Sequence, residues 1–318
     1  MNQKTMLVKP DITSLITKDK TNYLYYVENS LHVYDLKNDK VIQRLPNTRF
    51  SLIAISNDGS LLVCVHPVRT NVEIIIYHID GLLLEERRVI IHTPFSEFAP
   101  MVSNCNQYIY YCGDDSTIWR VTISSAESKC IFRCKGEEII KSISINHQDI
   151  LISVFGIGEK QNDSYVLLLD FDGKMIKKFD FVLKDMNNIR LRNIGCNWIS
   201  DSSFVCFLSI NFGGQIRTSL QTVSLNSFGL INVDYEQFSL CFDFYPHITC
   251  VSDNQKFIAL GGIESENFHF MKKVMVYSLP KFEEVFTEHY DYLWSLHFAN
   301  SSLTLIICSN MQHFIDLS

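Results

Sequence analysis

Residues 51–65 read SLIAIS, then Asn57-Asp58-Gly59, then SLLVCV, so that two apolar runs flank a short polar turn. Asparagine, aspartate and glycine tolerate positive φ values, and this favours them in the tight turns of β-hairpins. The flanking runs are rich in isoleucine, leucine and valine, which suit buried strands. This stretch therefore predicts two antiparallel strands joined by a tight turn.

The same unit recurs six more times, at spacings of about 39 to 54 residues. The further copies read TSLIT-KDKTN-YLYYV near residue 20, APMVS-NCNQ-YIYYC near 105, KSISI-NHQ-DILISV near 147, GCNWIS-DSS-FVCFL near 201, HITCVS-DNQ-KFIAL near 253 and LWSLHF-ANSS-LTLII near 300. A repeat of this length fits four short strands per unit. The sequence therefore predicts seven similar β-sheets.

A second pattern follows each hairpin and also occurs seven times. It marks the end of a third strand, in the order apolar, aromatic or apolar, polar, apolar. The copies are Val33-Tyr34-Asp35-Leu36, Ile76-Tyr77-His78-Ile79, Ile118-Trp119-Arg120-Val121, Leu168-Leu169-Asp170-Phe171, Thr222-Val223-Ser224-Leu225, Val276-Tyr277-Ser278-Leu279 and Phe314-Ile315-Asp316-Leu317. A more polar segment comes next, as in KVIQRLP, and it is predicted to be an outer strand that borders solvent.

This order of a Ser-x-Asp-Gly-like turn, an apolar strand and a Trp-Asp-like strand end resembles a degenerate form of the WD repeat over nearly the whole chain. Asp35, Asp170 and Asp316 keep the acidic residue of that pattern, although no copy has the Trp-Asp dipeptide. The resemblance implies an all-β, seven-bladed β-propeller with four-stranded antiparallel blades. Kelch-type and other seven-bladed propellers are alternatives.

The repeats predict one β-propeller domain over residues 1–318. The expected blades span residues 11–46, 50–91, 97–135, 138–183, 192–236, 245–289 and 291–318. The last copy ends after three strands, and residues 5–9 (TMLVK) form a spare apolar strand. We expect residues 5–9 to pair with the C-terminal blade, because this would cover two open sheet edges.

Composition narrows the classes of partner. The 318 residues carry a net charge of −7 from 28 basic and 35 acidic residues, and no basic run exceeds two. A nucleic-acid partner is not expected, because such proteins carry a basic patch or stripe. No secretory signal and no apolar run long enough to span a membrane are present, so we expect a cytoplasmic protein without a membrane partner. The ten cysteines lie mostly in apolar strands and are expected to be reduced.

The two ends of the predicted strands differ in their connections. One rim carries short polar turns, whereas the other is predicted to carry longer aromatic loops at 66–71, 92–98, 156–163, 211–217, 236–246, 261–273 and 287–294. Loops on a rigid scaffold often carry function, and aromatic residues and arginine are favoured at interface anchors. The candidate partner-binding residues are Arg69, Phe95, Phe212, Arg217, Phe242, Phe244, Tyr245, Phe268, His269, Phe270, Tyr290, Tyr292 and Trp294.

The leading interpretation is a scaffold or adaptor that holds another protein or peptide on this rim, monomeric apart from its partner and without a cofactor. One alternative is a propeller enzyme, of lyase or metal-dependent hydrolase type, with its site at the mouth of a central channel near His247, His289 and His297. The chain has no GxSxG or HExxH motif, and no catalytic or metal-binding residues are assigned. Another alternative is a toxin-neutralising, immunity-like protein, since the acidic balance suits a basic target.

Overall fold

A computed structural model describes most of the chain. The described residues are 3–6, 14–16, 22–27, 30–35, 38, 40–46, 52–56, 60–80, 82–96, 100–156, 164–183, 190–212, 215–227, 229–233, 241–242, 244–252, 254–266, 269–293, 295–299, 304–308 and 312–317. Every regular element in these ranges is a β-strand. No helix long and apolar enough to cross a membrane is found among them.

The strands are short and follow one another closely. The first thirteen are β1 (Gln3–Met6), β2 (Ser14–Ile16), β3 (Asn22–Val27), β4 (Ser30–Asp35), β5 (Lys40–Pro46), β6 (Leu52–Ile55), β7 (Leu61–Val68), β8 (Asn71–Asp80), β9 (Leu82–Ile91), β10 (Met101–Val102), β11 (Tyr108–Gly113), β12 (Thr117–Thr122) and β13 (Ser128–Arg133). The next fourteen are β14 (Glu138–Ile145), β15 (Asp149–Gly156), β16 (Tyr165–Asp170), β17 (Met175–Leu183), β18 (Arg190–Ser200), β19 (Ser203–Phe212), β20 (Gln215–Ser224), β21 (Leu230–Val233), β22 (Cys241–Phe242), β23 (Phe244–Val251), β24 (Phe257–Glu266), β25 (His269–Ser278), β26 (Glu283–Tyr290) and β27 (Ser295–Ala299). The last two are β28 (Thr304–Cys308) and β29 (Gln312–Asp316).

The strands belong to two compact units. The first unit comprises Met1–Arg133 together with Leu303–Ser318, and the second comprises Cys134–Ser302. In the first unit the sheets are sheet 1 (β2-β3-β4-β5), sheet 2 (β6-β7-β8-β9), sheet 3 (β10-β11-β12-β13) and the β1-β29-β28 part of sheet 7. In the second unit they are sheet 4 (β14-β15-β16-β17-β21), sheet 5 (β18-β19-β20-β22) and sheet 6 (β23-β24-β25-β26). This set of sheets fits the seven sequence repeats.

The core of the first unit lies between successive sheets, because the middle strands are apolar on both faces. Leu62 and Cys64 of β7 pack with residues of sheet 1. Leu61, Val63 and Val65 point the other way and pack with sheet 3. All five side chains are buried, and each such burial stabilises the fold by roughly 1.5–3 kcal/mol. The continuous apolar run SLLVCV is thus explained by a strand that is covered on both faces.

The second unit repeats this arrangement around β19. Cys206 and Leu208 pack with sheet 4, and Val205 and Phe207 pack with sheet 6. The ring of Phe207 lies over its register partner Gly195 on β18, where a Cβ atom would stand 2.1 Å from the ring. A side chain at position 195 would therefore displace the ring of Phe207 from the core.

A buried serine closes the first hairpin turn in three sheets. The Oγ atom of Ser56 accepts a hydrogen bond from the backbone N–H of Leu61, at 2.9 Å. The same bond joins Ser103 to Tyr108 at 3.0 Å and Ser252 to Phe257 at 2.9 Å. The spacing is five residues each time, and all three serines are less than 3% exposed. This bond explains why serine recurs at the end of the first strand.

An aspartate stabilises the turn after the third strand in two sheets. Asp170 Oδ1 accepts hydrogen bonds from the backbone N–H groups of Asp172 and Lys174, at 3.0 and 2.8 Å. Asp35 Oδ1 likewise accepts the backbone N–H of Asn38, at 3.0 Å. Such local bonds are typical of Asx turns. The aspartate of the repeat, Asp35 or Asp170, therefore stabilises the turn between the third strand and the outer strand by accepting backbone hydrogen bonds.

The N-terminal strand differs in its bounds from the prediction. β1 pairs antiparallel with β29, with Gln3 opposite Ile315 and Met6 opposite Gln312. The described pairing strand is Gln3–Met6, which begins two residues before the expected strand at residues 5–9, and residues 7–9 lie outside the described ranges. This pairing fits the expected addition of an N-terminal strand to the last repeat.

The boundary between the fourth and fifth repeats is also different. The expected fifth blade ended at residue 236, which would place residues 230–233 in sheet 5. Instead β21 pairs in parallel with β17 of sheet 4, with Asp180 opposite Leu230. The fourth position of sheet 5 is taken by β22, which pairs with Arg217 and Thr218 of β20. Parallel pairing between distant strands leaves no local sequence signal.

Three of the seven long loops predicted on the aromatic rim belong to extended hairpins in the described part of the chain. Residues 66–71 contain the ends of β7 and β8 around a two-residue turn, and residues 211–217 belong mostly to β19 and β20. Within 261–273, β24 runs to Glu266 and β25 begins at His269. The strands continue past their apolar segments, so polar residues that resemble a loop in sequence are held in regular pairing.

Candidate functional site

The outer end of sheet 6 projects polar side chains from regular strands. β24 and β25 pair from Phe257 opposite Ser278 to Glu266 opposite His269. Side chains alternate between the two faces of a strand, so Glu264 shares a face with the core residues Ile258 and Leu260. The same face therefore changes along its length from an apolar core to a charged cluster.

Three titratable side chains meet in this cluster, one from each of three neighbouring strands. The Nζ atom of Lys273 on β25 donates to Glu264 Oε1 at 2.5 Å. The Nε2 atom of His289 on β26 lies 2.5 Å from Glu264 Oε2. The register places Lys273 directly opposite His289. Glu264 therefore ties the three strands together beyond the hydrophobic core.

The electrostatics of Glu264 follow from its surroundings. Its side chain is 14% exposed, and burial alone would raise the pKa of the carboxyl group. The hydrogen bonds and charges of Lys273 and His289 have the opposite and larger effect, so the pKa of Glu264 lies below its ordinary value. Glu264 is thus held as a carboxylate by its two partners.

An open pocket of about 530 Å³ adjoins this cluster. It is lined by Met271, His289, Tyr290, Asp291 and Tyr292, and we call it the hairpin pocket. Met271 is 37% exposed and Tyr292 is 52% exposed, so both are among the large hydrophobic side chains that reach solvent in the described ranges. The volume lies in the range of roughly 300–1,000 Å³ that is common for binding sites.

Tyr290 forms a fixed part of the pocket wall. It is only 8% exposed, and its hydroxyl donates to Glu288 Oε2 at 2.6 Å. Burial raises the pKa of Tyr290, and the hydrogen bond to Glu288 adds to this effect. The ring therefore supports the pocket from below, while Tyr292 presents much more of its surface to solvent.

The structure places two predicted residues of the first unit in different surroundings. Arg69 is exposed at the tip of the β7–β8 hairpin, where its φ of 57° allows the tight turn. Phe95 is half-buried and packs on the core between sheets 2 and 3. Of these two, Arg69 is the one that a partner could reach without moving the core.

Phe244 requires a correction. Its side chain is 0% exposed and lies in the core between sheets 5 and 6. Its carbonyl oxygen accepts a hydrogen bond from Thr218 Oγ1 at 2.8 Å. The expectation that Phe244 presents its ring to a partner is therefore wrong, because the aromatic segment in which it lies begins the first strand of sheet 6.

The remaining predicted residues are placed mainly by their backbone. Arg217 lies half-buried on β20, opposite Ile210 and Phe242. The strands also hold the backbones of Phe212, Phe242, Tyr245, His269 and Phe270. Phe268 and Trp294 lie outside the described residues. The structure thus places Tyr290 and Tyr292 at one pocket, and the other candidates apart from Phe244 stay predictions.

The sequence prediction missed four residues of this region. Met271 and Asp291 line the pocket, and Glu264 and Lys273 form the adjacent ion pair. Glu264, Met271 and Lys273 fall within residues 261–273, a segment that was expected to be a loop. The sequence therefore indicated no pairing between strands from which their contacts could be deduced. The even spacing of Glu264 from Ile258 and Leu260 along β24 was the sequence signal that could have placed these side chains on one face of a strand.

The histidines give limited support to an enzyme site. His289 lies on β26, the fourth strand of sheet 6. His247 lies on β23 and His297 lies on β27. No group of three or more His, Cys, Asp or Glu suited to a metal ion occurs in the described ranges. A catalytic site at a channel mouth stays an alternative prediction.

Comparison with known proteins identifies the fold. No protein-family model matches the chain, and no curated protein matches it. It is similar to the solved structure of U3-55K, with a TM-score of 0.66 and 11% identity over 99% of this chain and 98% of that chain. The Myceliophteria thermophila Cps50 (Swd1) β-propeller domain matches with a TM-score of 0.66 and 10% identity over 100% of both chains.

A third solved structure, Kuenenia stuttgartiensis hydrazine synthase, matches with a TM-score of 0.65 and 11% identity over 98% of this chain and 97% of that chain. Likeness at such low identity concerns architecture and leaves function open. The fold prediction is confirmed by these matches together with the antiparallel four-stranded sheets. The chain has an all-β, β-propeller fold.

Proposed function

We propose that this protein is a binding scaffold that holds a polypeptide partner, and that the hairpin pocket is part of the binding surface. The observation that carries the proposal is the exposure of Met271 and Tyr292 beside Asp291 at the end of a rigid sheet. Exposed aromatic groups next to a polar rim are common at protein interfaces. Met271 lies on the paired strand β25, which fixes its position before binding, and Asp291 and Tyr292 directly follow the end of β26.

The extended hairpins support this proposal further. Met271 lies within the ten-residue strand β25, and a residue in a paired strand loses less conformational entropy on binding than the same residue in a loop. The ion pairs of Glu264 with Lys273 and His289 cross-link this end of sheet 6. Arg69, at the tip of another long hairpin, is a second candidate contact in the first unit.

Site-specific photo-crosslinking in the native host tests the proposal. A photoreactive amino acid at position 292 should yield a defined adduct with one protein. The matched control is position 281, because Lys281 is exposed at the opposite end of β26. Adducts from position 281 and none from position 292 would contradict the proposed surface.

Variants then test the two exposed side chains. Met271→Ala combined with Tyr292→Ala should reduce recovery of the crosslinked protein in affinity purification at least about tenfold, as expected for interface anchors. The melting temperature should stay unchanged, because both side chains are substantially exposed. Full recovery of the partner with a correctly folded double variant would refute the role of the hairpin pocket.

A further inference from the structure

We infer that the hairpin pocket binds a cationic side chain, an arginine or a lysine, of the partner polypeptide. This inference rests on the proposed function and adds the chemistry of the group that is recognised. It is carried by the position of one carboxylate, Asp291, next to two exposed side chains that suit the stem and the head of a long cation.

The first step concerns the charges around the pocket. Glu264 is already bound by Lys273 and His289, and Glu288 accepts a hydrogen bond from the hydroxyl of Tyr290. Asp291 is exposed, and within the described part of the chain it forms no ion pair or side-chain hydrogen bond. Asp291 is therefore the carboxylate of this pocket that is available to an incoming cation.

The second step concerns shape and polarity. Arginine has a long aliphatic stem and a planar head that stacks on aromatic rings. Tyr292 exposes an aromatic face, and Met271 offers an adaptable apolar contact to the stem. A carboxylate between such groups can accept a charge-assisted hydrogen bond while the stem remains covered.

The third step excludes two other kinds of side chain. An acidic group would meet Asp291 directly, and the two basic side chains nearby, Lys273 and the pocket-lining His289, are already bound to Glu264. A purely apolar side chain would remove water from the Asp291 carboxylate without replacing its hydrogen bonds, which is costly. The head of an arginine or lysine can bind the carboxylate of Asp291, while its aliphatic stem covers the apolar surface of Met271 and Tyr292.

The charges of β26 add a weaker, long-range contribution. The strand and the residue after it carry Glu283, Glu284, Glu288 and Asp291, with His289 as the one basic type among them. The whole chain has a net charge of −7. Such a field would speed the approach of a basic segment, with an effect that decreases as salt is added.

Ligand-observed NMR with small probes tests the inference on the intact protein. N-acetyl-arginine amide should bind, and N-acetyl-citrulline amide, its neutral analogue of nearly the same shape, should bind at least about tenfold more weakly. Asp291→Asn should remove this preference. The matched control is Glu284→Gln, which neutralises an exposed carboxylate on the same strand away from the pocket.

Equal binding of the arginine and citrulline probes, or an unchanged preference in Asp291→Asn, would overturn the inference. Preference for N-acetyl-glutamate amide would do the same. If Tyr292→Ala abolishes partner recovery while Asp291→Asn has no effect on arginine binding, the scaffold proposal holds and the cation inference fails. If the arginine probe binds at Asp291 and position 292 yields no adduct, the cation inference holds and the scaffold surface is wrong.

Discussion

At the scale of single residues, the repeat is defined by hydrogen bonds as much as by apolar surface. Ser56, Ser103 and Ser252 each place a buried hydroxyl between the end of one strand and the start of the next. The backbone of the same residues also pairs across the turn, as in Ser103 N to Tyr108 O at 2.9 Å. A buried N–H that loses its acceptor must remain without a partner, which is costly.

Removal of one of these hydroxyl groups should therefore destabilise the protein. We expect Ser56→Ala, Ser103→Ala and Ser252→Ala each to lower the free energy of unfolding by about 1–3 kcal/mol. Urea unfolding monitored by tryptophan fluorescence measures the change. Ser128→Ala is the control, because Ser128 is exposed on β13. Equal stability of all four variants would show that the turn bonds contribute nothing.

At the scale of strands, an ion pair links β24 to β25 beyond the apolar core of sheet 6. Glu264 has a pKa below the ordinary value of 4.5, so its carboxylate is favoured in the folded state. A lowered pKa stabilises the fold above the unfolded-state value, and this stabilisation disappears as the pH falls through the folded-state value. The contribution is therefore present at neutral pH and lost in acid.

The variant Glu264→Gln should show this dependence directly. We expect it to be less stable than the wild type at pH 7 and to lose less stability between pH 6 and pH 3, because one group that titrates has been removed. Thermal unfolding across this pH range measures both effects. Glu284→Gln, an exposed change on β26, should follow the wild-type curve. Parallel curves for Glu264→Gln and the wild type would contradict the assignment.

Local patterns in the sequence predict most of the strands, but not how far each one extends. The apolar runs of β7 and β19 are short-range signals, and the structure contains these strands where they are expected. The outer halves of β24 and β25 carry glycine, glutamate and lysine, which are uncommon in strands. Their pairing is set by register over the whole hairpin, so the ion pair of Glu264 could not be deduced.

The candidate site was predicted in part for the same reason. Tyr290 and Tyr292 lie at the hairpin pocket, as an aromatic-rich segment suggested. Phe244 has the same residue type and a similar local sequence, yet it is buried between two sheets. Aromatic side chains are favoured both in cores and at interfaces. Only the tertiary environment distinguishes these two uses.

At the scale of the whole molecule, the two ends of the chain belong to one sheet. β1 hydrogen-bonds to β29, so the first described strand covers an edge of the last one. Without β1, the N–H and C=O groups of β29 that face it would be open to solvent or to another chain. The pairing thus contributes to stability and protects against association between edges.

Deletion of residues 1–6 should lower the melting temperature by at least about 3 °C, since even one kcal/mol has an effect of this order in proteins of such size. It should also increase the tendency to aggregate, because an edge strand is exposed. Differential scanning calorimetry and light scattering measure the two effects. Deletion of residues 1–2, which precede β1, is the control. An unchanged melting temperature after the longer deletion would refute this role of β1.

The parallel pairing of β21 with β17 has a consequence for synthesis on the ribosome. About 50 residues separate the end of β17 at Leu183 from the end of β21 at Val233. At a synthesis rate of roughly 5–20 residues per second, β21 is completed roughly 3–10 seconds after β17. During this interval the nascent chain presents an open strand edge, and a chaperone that binds extended segments would have its opportunity there.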